Sequence, residues 1–306
     1  MVGMSLKKNE NSLGHFEPKN EVESNIQYRQ RLRESSLTVL LQNDKHTDAS
    51  DFDVEEKSPQ LTIMEKLCLL ALEDERAQIP ILNDNIPYVL RACILLELTL
   101  AKRIKLNLHN GGSRDEPWKL NVTINDFTPS GDIFLDEVMK IIAKEELSLQ
   151  KWVDVLTGET WSRRLSEYQL CNLRERLCKS LMEKGIVTSK KSSLFLVETT
   201  EYPLLNVKLK RKLCYDIIDS ALEPSKLDLH ALCLLLSLNG AKIIHKVLKV
   251  TDAPTSSRVK HSVNDYLEKY SQFHNLEAKF GHLLGDGELY LIAGIFSLYK
   301  KINKFF

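Results

Sequence analysis

The fold is decided by the stretch LTIMEKLCLLAL, Leu61–Leu72. Its apolar side chains recur every three to four residues on two neighbouring stripes, which is typical of a helix that is buried over a wide face. The next apolar segment follows three residues that can cap a helix, Asn83–Asn85, and has Pro87 in its first turn, where a missing N–H costs little. It runs to about Arg103. The two segments predict two helices at the centre of the core.

Helical patterns continue towards the C-terminus, with only short strand patterns between them. Three of the predicted helices are long: Trp161–Lys184, Leu227–Val250 and Thr255–His282. Because few strands are predicted and no repeat of fixed period is visible, we expect a mainly α fold. The expected architecture is a single globular helical domain over residues 61–306.

A β-hairpin is predicted after Gly185, a residue placed to end the preceding helix. Ile186–Val187 and Leu194–Val197 predict its strands, and Thr188–Ser193 predicts a polar, basic tip between them. The expected helical domain therefore contains small β-hairpins.

Residues 1–60 differ from the rest of the chain in composition. They carry eight basic and eleven acidic residues, and no apolar period lasts beyond one turn except around Leu32–Leu41. Such a segment cannot bury enough apolar surface to offset the entropy that it loses on ordering. We interpret residues 1–60 as a disordered N-terminal arm.

Charge and hydropathy argue against several classes of protein. The chain has 42 basic and 42 acidic residues, so no net charge favours nucleic acid. Its longest uncharged window, Leu229–Ala241, has 13 residues. A bilayer span needs about 20 apolar residues. Lys7, Lys8 and Glu10 interrupt any signal peptide. We expect a cytosolic protein without a transmembrane segment.

The cysteines lie among leucines and isoleucines, without a C-x-x-C pair. They are Cys68, Cys93, Cys171, Cys178, Cys214 and Cys233. In that setting reduced thiols behave as small apolar side chains, so we interpret all six as buried free thiols. A zinc site or a disulfide framework is the alternative.

No motif of a catalytic nucleophile, a nucleotide-binding loop or a metalloprotease is present, and the eight histidines show no ligand spacing. Asp132, Asp136 and Glu137 form a group of carboxylates. Asp132 with Asp136 also fits the first turn of a helix, where the helix dipole favours acidic side chains. We therefore expect a protein that is not an enzyme, with no catalytic residue, cofactor or metal site.

Positive charge is concentrated between Ser162 and Lys191. Three acidic residues in this segment oppose eight basic ones: Arg163, Arg164, Arg174, Arg176, Lys179, Lys184, Lys190 and Lys191. A second basic run follows at Lys208–Lys212. These residues form either a solvated face or a contact with an anionic membrane, where each basic group contributes about 1 kcal/mol.

Two arginines stand at the edge of the predicted core. Arg91 interrupts an otherwise apolar helix, and Arg174 lies beside the leucines of another. A packed guanidinium can present a fixed fork to a phosphate. A buried arginine requires either an internal carboxylate or an anionic ligand, and both alternatives remain open at this point.

Five blocks of this sequence resemble the Golgi phosphoprotein three family, in order and spacing, from Leu61 to about Pro203. They are LTIMEKLCLLALEDER (Leu61–Arg76), LNDNIPYVLRACILLEL (Leu82–Leu98), PSGDIFLDEVMKII (Pro129–Ile142), WVDVLTGETW (Trp152–Trp161) and YQLCNLRERLCKSLMEKGIV (Tyr168–Val187). The resemblance implies a mainly α peripheral protein on the cytosolic face of the Golgi membrane. It also implies recognition of phosphatidylinositol 4-phosphate and an adaptor role that ties glycosyltransferase cytosolic tails to coatomer.

The resemblance implies roles for particular residues. The family surrounds the lipid headgroup with a tryptophan, an arginine and two further basic residues, and the matching positions here are Leu82, Arg91, Cys171 and Arg174. The family's coatomer contact is an N-terminal arginine cluster, for which the candidates are Arg29, Arg31 and Arg33. The family's hairpin serves membrane contact and self-association into a homo-oligomer, and its residues here are Lys190, Lys191, Leu194 and Phe195.

The sequence departs from the family pattern at two of the four headgroup positions. Leu82 has no indole N–H, and Cys171 has no cationic group. Each lost hydrogen bond to a charged group costs about 1.5–3 kcal/mol, so we expect headgroup affinity to be weaker by about one to two orders of magnitude. Two hypotheses follow: a divergent Golgi adaptor with weak lipid recognition, or a protein-only interaction module that has lost specific lipid binding.

Overall fold

Two helices, α1 (Ile63–Ala71) and α2 (Asn85–Leu100), form the centre of the core, as their apolar patterns predict. In the computed structural model, which describes residues 59–72, 85–109, 113–158, 163–194 and 197–304, every residue of α2 except Pro87 and Leu100 is buried. The described residues belong to one compact unit, Ser58–Phe306.

Nine further helices surround α1 and α2 in the part of the chain that the structure describes. They are α3 (Ile133–Ile142), α4 (Leu149–Thr157), α5 (Leu173–Glu183), α6 (Val207–Leu222), α7 (Leu229–Gly240), α8 (Ile244–Val247), α9 (Ala253–Tyr270), α10 (Phe273–Phe280) and α11 (Asp286–Lys304). Helices α1, α4, α7 and α11 pack directly on α2. This arrangement confirms the predicted mainly α class.

Two small antiparallel strand pairs complete the fold: β1 (Ile104–Leu106) with β2 (Val122–Ile124), and β3 (Lys190–Leu194) with β4 (Val197–Glu201). Strand β1 directly follows Arg103, where α2 was predicted to end, and no strand was predicted there. The hairpin is shifted from its predicted position, because the residues assigned to its basic tip form β3 instead. Lys190 therefore lies opposite Glu201, at the base of the hairpin.

The three long predicted helices are each interrupted. A 3₁₀ turn, Leu165–Tyr168, precedes α5, whose start is set by Asn172 in the left-handed conformation, φ 53°. Lys242, also left-handed, separates α7 from α8. Helices α9 and α10 are separated at Ser271–Gln272. The predicted stop at Gly185 is confirmed, since its φ of 69° favours glycine after α5.

The two ends of α1 are fixed by polar side chains from distant parts of the chain. At its start, Glu65 accepts from the backbone N–H of Thr62, from Ser180 Oγ at 2.7 Å and from Lys184 Nζ at 2.7 Å. At its end, Lys210 Nζ donates to Leu72 O at 2.9 Å and Lys246 Nζ donates to Ala71 O at 2.6 Å. One backbone N–H at the start of α1 and two carbonyls at its end therefore find partners outside the helix ladder.

Replacing Glu65 with glutamine is expected to lower the free energy of unfolding at pH 7 by about 2 kcal/mol. Burial raises the pKa of Glu65, but the hydrogen bonds from Lys184, Ser180 and Thr62 outweigh it and hold that pKa below its ordinary 4.5. The carboxylate thus stabilises the fold above pH 4.5, and this contribution is lost as the pH falls through the folded-state pKa.

Urea unfolding at pH 7 and at pH 3.5 measures this effect. The difference in stability between the wild-type chain and Glu65→Gln should shrink on acidification, while the exposed Glu183→Gln on α5 should match the wild type at pH 7. A difference that is independent of pH would mean that the carboxylate charge of Glu65 does not stabilise α1.

The predicted arm, residues 1–60, lies outside the described residues except for Pro59 and Gln60. Its disorder and its boundary stay predictions. Within the described ranges, no single helix is both long and apolar enough to cross a bilayer, and α7 taken together with Ile244–Val250 meets that criterion only as a pair bent by 110°.

Candidate functional site

The buried arginine predicted on α2 is held by backbone carbonyls. Arg91 is 6% exposed, and its Nε donates to Leu156 O at 3.2 Å while Nη1 donates to Pro87 O at 3.1 Å. Its Nη2 donates to Leu170 O. The sequence left open an internal carboxylate or an anionic ligand, whereas the structure shows hydrogen bonds from Arg91 to three peptide carbonyls. Arg91 therefore joins α2 to the end of α4 and to the residues before α5.

The charge of Arg91 remains in this buried position. Burial lowers the pKa of Arg91 to about 10, and repulsion from Arg174 adds to this, while Cys171 acts in the opposite direction. The guanidinium is thus still protonated at neutral pH. The hydrogen bond from Arg91 Nη2 to Leu170 O places Arg91 beside the segment that contains Cys171 and Arg174.

Arg91, Cys171 and Arg174 form what we call the α2–α5 site. Arg174, in the first turn of α5, is half-buried, as expected for a residue at the edge of the core. Cys171, which precedes α5, is exposed, so the prediction that all six cysteines are buried is wrong at this position. The other five cysteines are buried and reduced. Leu82, the fourth predicted headgroup position, lies outside the described residues.

Much of the positive charge on the 162–191 segment is neutralised by acids from elsewhere in the chain. Arg164 Nη1 lies 2.8 Å from Glu145, and Lys184 pairs with Glu65. Arg176 pairs with Glu137 and also lies over a phenylalanine ring of α3. A count of charges within the segment misses these partners. Their positions depend on the tertiary fold, which no local pattern encodes.

The fold removes one lysine of the second basic run, Lys208–Lys212, from the protein surface. Lys210 is buried and donates to the end of α1, so it does not belong to a basic surface. Lys190 and Lys191 are exposed at the base of the hairpin, away from its tip. The side chain of Leu194, Phe195, and the three candidate coatomer residues Arg29, Arg31 and Arg33 lie outside what the structure describes.

The carboxylate group on α3 serves the helix start. Asp132 is the N-cap residue and accepts from the backbone N–H groups of Phe134 at 2.8 Å and Leu135 at 3.1 Å. Asp136 accepts from the N–H and hydroxyl of Ser130, and these hydrogen bonds hold the pKa of Asp136 below its ordinary value. The interpretation of these acids as first-turn residues is confirmed.

The α2–α5 site can bind an anion only through part of its positive charge. Arg91 directs three of its N–H groups at peptide carbonyls, and the half-buried Arg174 and the exposed Cys171 complete the site. A single guanidinium suits one phosphate or carboxylate group. It does not by itself discriminate among inositol rings.

In the part of the chain that the structure describes, the protein is a mainly α domain with two small strand pairs, and two arginines lie close together on α2 and α5. The family model described as Golgi phosphoprotein 3 (GPP34) matches residues 63–277, and the chain belongs to that family. The resemblance drawn from the five sequence blocks is thereby confirmed.

The names of curated relatives also indicate a role in protein sorting. Vacuolar protein sorting-associated protein 74 of Eremothecium gossypii is 30% identical over 233 residues, which cover 71% of this chain and 70% of that protein. The protein of the same name in Schizosaccharomyces pombe is 36% identical over 156 residues, which cover 51% of this chain and 46% of that protein. Family membership and these relatives support a role in Golgi-related trafficking.

Proposed function

We propose that this protein is a peripheral, non-enzymatic adaptor on the cytosolic face of the Golgi membrane, with a further pool in the cytosol. It recognises phosphatidylinositol 4-phosphate and links the cytosolic tails of glycosyltransferases to coatomer, so that these enzymes are retained in the Golgi. The exposed hairpin lysines contribute to membrane contact and self-association.

The observation that carries this proposal is the convergence of Arg91 and Arg174 in the α2–α5 site. The two arginines are 83 positions apart in the sequence, yet repulsion from Arg174 adds to burial in lowering the pKa of Arg91. Two adjacent guanidinium groups repel one another, and an anionic headgroup bound beside them relieves that repulsion. The family resemblance assigns the same two residues to the headgroup.

A second candidate function is a protein-only interaction module of the same fold. The observation that favours it is the set of three backbone carbonyls around Arg91, because a guanidinium satisfied inside the protein has fewer N–H groups to offer to a ligand. The leucine and cysteine at positions 82 and 171 point in the same direction.

Flotation with liposomes distinguishes the two candidates. For the adaptor, liposomes that contain phosphatidylinositol 4-phosphate should carry more protein to the top of the gradient than liposomes of equal charge made with phosphatidylserine. Arg174→Ala should reduce that excess, and the exposed Lys260→Gln on α9 should not. Equal flotation on both liposomes would favour the protein-only module.

Replacing Arg29, Arg31 and Arg33 together with alanine is expected to abolish coatomer pull-down, because their charge would meet an acidic coatomer surface. The melting temperature of the variant should equal that of the wild type, since the three residues belong to the predicted arm. A charge-matched control is the triple variant of Lys7, Lys8 and Lys19 to alanine, which should retain coatomer. Retained pull-down in the arginine variant would remove this cluster from the mechanism.

A further inference from the structure

A cavity of about 470 Å³ lies between α11, the start of α10 and the 3₁₀ turn Pro117–Lys119. The turn can approach α11 closely because residue 294 is a glycine. A Cβ atom there would lie 3.4 Å from the backbone of Pro117 and Trp118 and 2.6 Å from a methyl group of Leu149. This contact places Trp118 beside the last two turns of α11. We call the cavity the α11 pocket, and none of its lining residues belongs to the α2–α5 site.

The α11 pocket is lined by cations that rest on aromatic rings. Lys301 Nζ lies 3.4 Å from the centre of the Trp118 ring, and the guanidinium of Arg114 lies 6.0 Å from the centre of the Tyr290 ring. Neither cation has a carboxylate within ion-pair distance among the residues that the structure describes. Lys301 is held against its ring, whereas Arg114 is exposed and lies at the outer limit of a cation–π contact. Both charges are therefore available to an anion.

The remaining polar groups of the pocket define its net charge. Lys300 also lines the pocket, but it forms an ion pair with Glu268, which is not a lining residue. Asp115 is the one acidic residue among the lining residues. His274 lies on the α10 side. Burial lowers the pKa of Lys301, and the nearby Glu116 partly offsets this. Two cations without a paired carboxylate among the described residues, Arg114 and Lys301, thus face one acidic lining residue, with Glu116 close to Lys301. The pocket therefore suits a compact anion.

The aromatic rings of the α11 pocket are not placed to stack on a nucleobase. Phe273 and Tyr290 stack on one another, with ring centres 3.8 Å apart and planes within 4°, and Lys301 covers the Trp118 ring. The rings therefore hold cations and one another. A small headgroup fits this arrangement better than a nucleobase does.

We propose that the α11 pocket is a second anion site of this protein, which binds a phosphomonoester through Arg114 and Lys301. The phosphate can belong to a soluble metabolite or to a lipid headgroup, since both present the same dianionic group. The inference is independent of the proposed Golgi function, because it involves no residue of the α2–α5 site.

Equilibrium dialysis of the full chain against radiolabelled inorganic phosphate, at constant ionic strength set with chloride, tests the proposal. Saturable binding is expected. Arg114→Gln and Lys301→Gln should each weaken it by about tenfold or more, the usual cost of a charged hydrogen bond. Asp115→Asn should tighten it, because that change removes the opposing charge. Lys260→Gln is the control and should bind as the wild type does. All variants are compared in an Arg174→Ala background, so that phosphate bound at the α2–α5 site does not contribute to the signal.

Competition experiments separate the two sources of the phosphate. Displacement of the label by glycerol 3-phosphate, or by vesicles of phosphatidylcholine with phosphatidylinositol 4-phosphate but not by phosphatidylcholine alone, supports the proposal and identifies the source. The proposal is wrong if binding is not saturable, if Lys260→Gln weakens it as much as Lys301→Gln does, or if neither competitor displaces the label. Because Asp115→Asn acts in the opposite direction, a folding defect cannot imitate the expected pattern.

Discussion

Replacing Arg91 with methionine is expected to lower the free energy of unfolding by about 3 kcal/mol, because two buried and one partly buried backbone carbonyl lose a charged donor. The carbonyls belong to Pro87, Leu156 and Leu170, so the loss affects three segments of the chain at once. Methionine retains much of the length of the arginine side chain and offers no N–H group.

Urea unfolding at pH 7 measures this loss. The matched control is Arg176→Met on α5, which removes a partly exposed ion pair with Glu137 and should cost less than about 1 kcal/mol. If Arg91→Met also lost less than about 1 kcal/mol, its carbonyl contacts would not stabilise the fold, and the arginine would be available to a ligand. Lipid binding by an Arg91 variant is meaningful only once this stability has been measured.

The double substitution Leu82→Trp with Cys171→Arg is expected to tighten binding to liposomes that contain phosphatidylinositol 4-phosphate by about tenfold to a hundredfold. The arginine adds a cationic fork next to Arg174, and the tryptophan adds an indole N–H and apolar area. Together they complete the four positions that the family resemblance assigns to the headgroup.

Titrations with liposomes that contain phosphatidylinositol 4-phosphate, phosphatidylinositol 3-phosphate or phosphatidylserine measure both affinity and selectivity. Asn264→Arg, an exposed position on α9, adds one positive charge elsewhere and should raise affinity for all anionic liposomes alike. Arg174→Ala should weaken binding in the wild-type and in the double-substituted background. If the folded double variant gains no affinity, the protein-only module becomes the better description of this chain.

The helical core could be predicted because it depends on local periodicity. The apolar stripes of α1 and the all-round apolar pattern of α2 indicate burial directly, and Arg91 is visible as a break in that pattern. Its partners could not be predicted, because Leu156 and Leu170 are 65 and 79 residues away. A pattern shows that a buried charge requires partners, but it does not show which groups the fold will supply.

The ion pairs of α5 and the register of the hairpin could not be predicted from local sequence either. Arg176 and Lys184 seem unopposed when acids are counted along their own segment, yet Glu137 and Glu65 reach them from α3 and α1. The hairpin register depends on which residues face each other across β3 and β4, and the alternation of a few polar residues leaves that choice open. The α11 pocket joins residues from both halves of the chain and carries no local motif.

The two lysines at the end of α1 have a consequence for how the protein is made. Lys210 and Lys246 lie 138 and 175 residues beyond the carbonyls that they bind. During synthesis α1 leaves the ribosome long before these partners, and its apolar faces stay open until most of the chain has emerged. Contacts over such distances also slow folding. The nascent protein therefore passes through a stage prone to aggregation, and chaperones that bind apolar segments would be expected to engage α1 first.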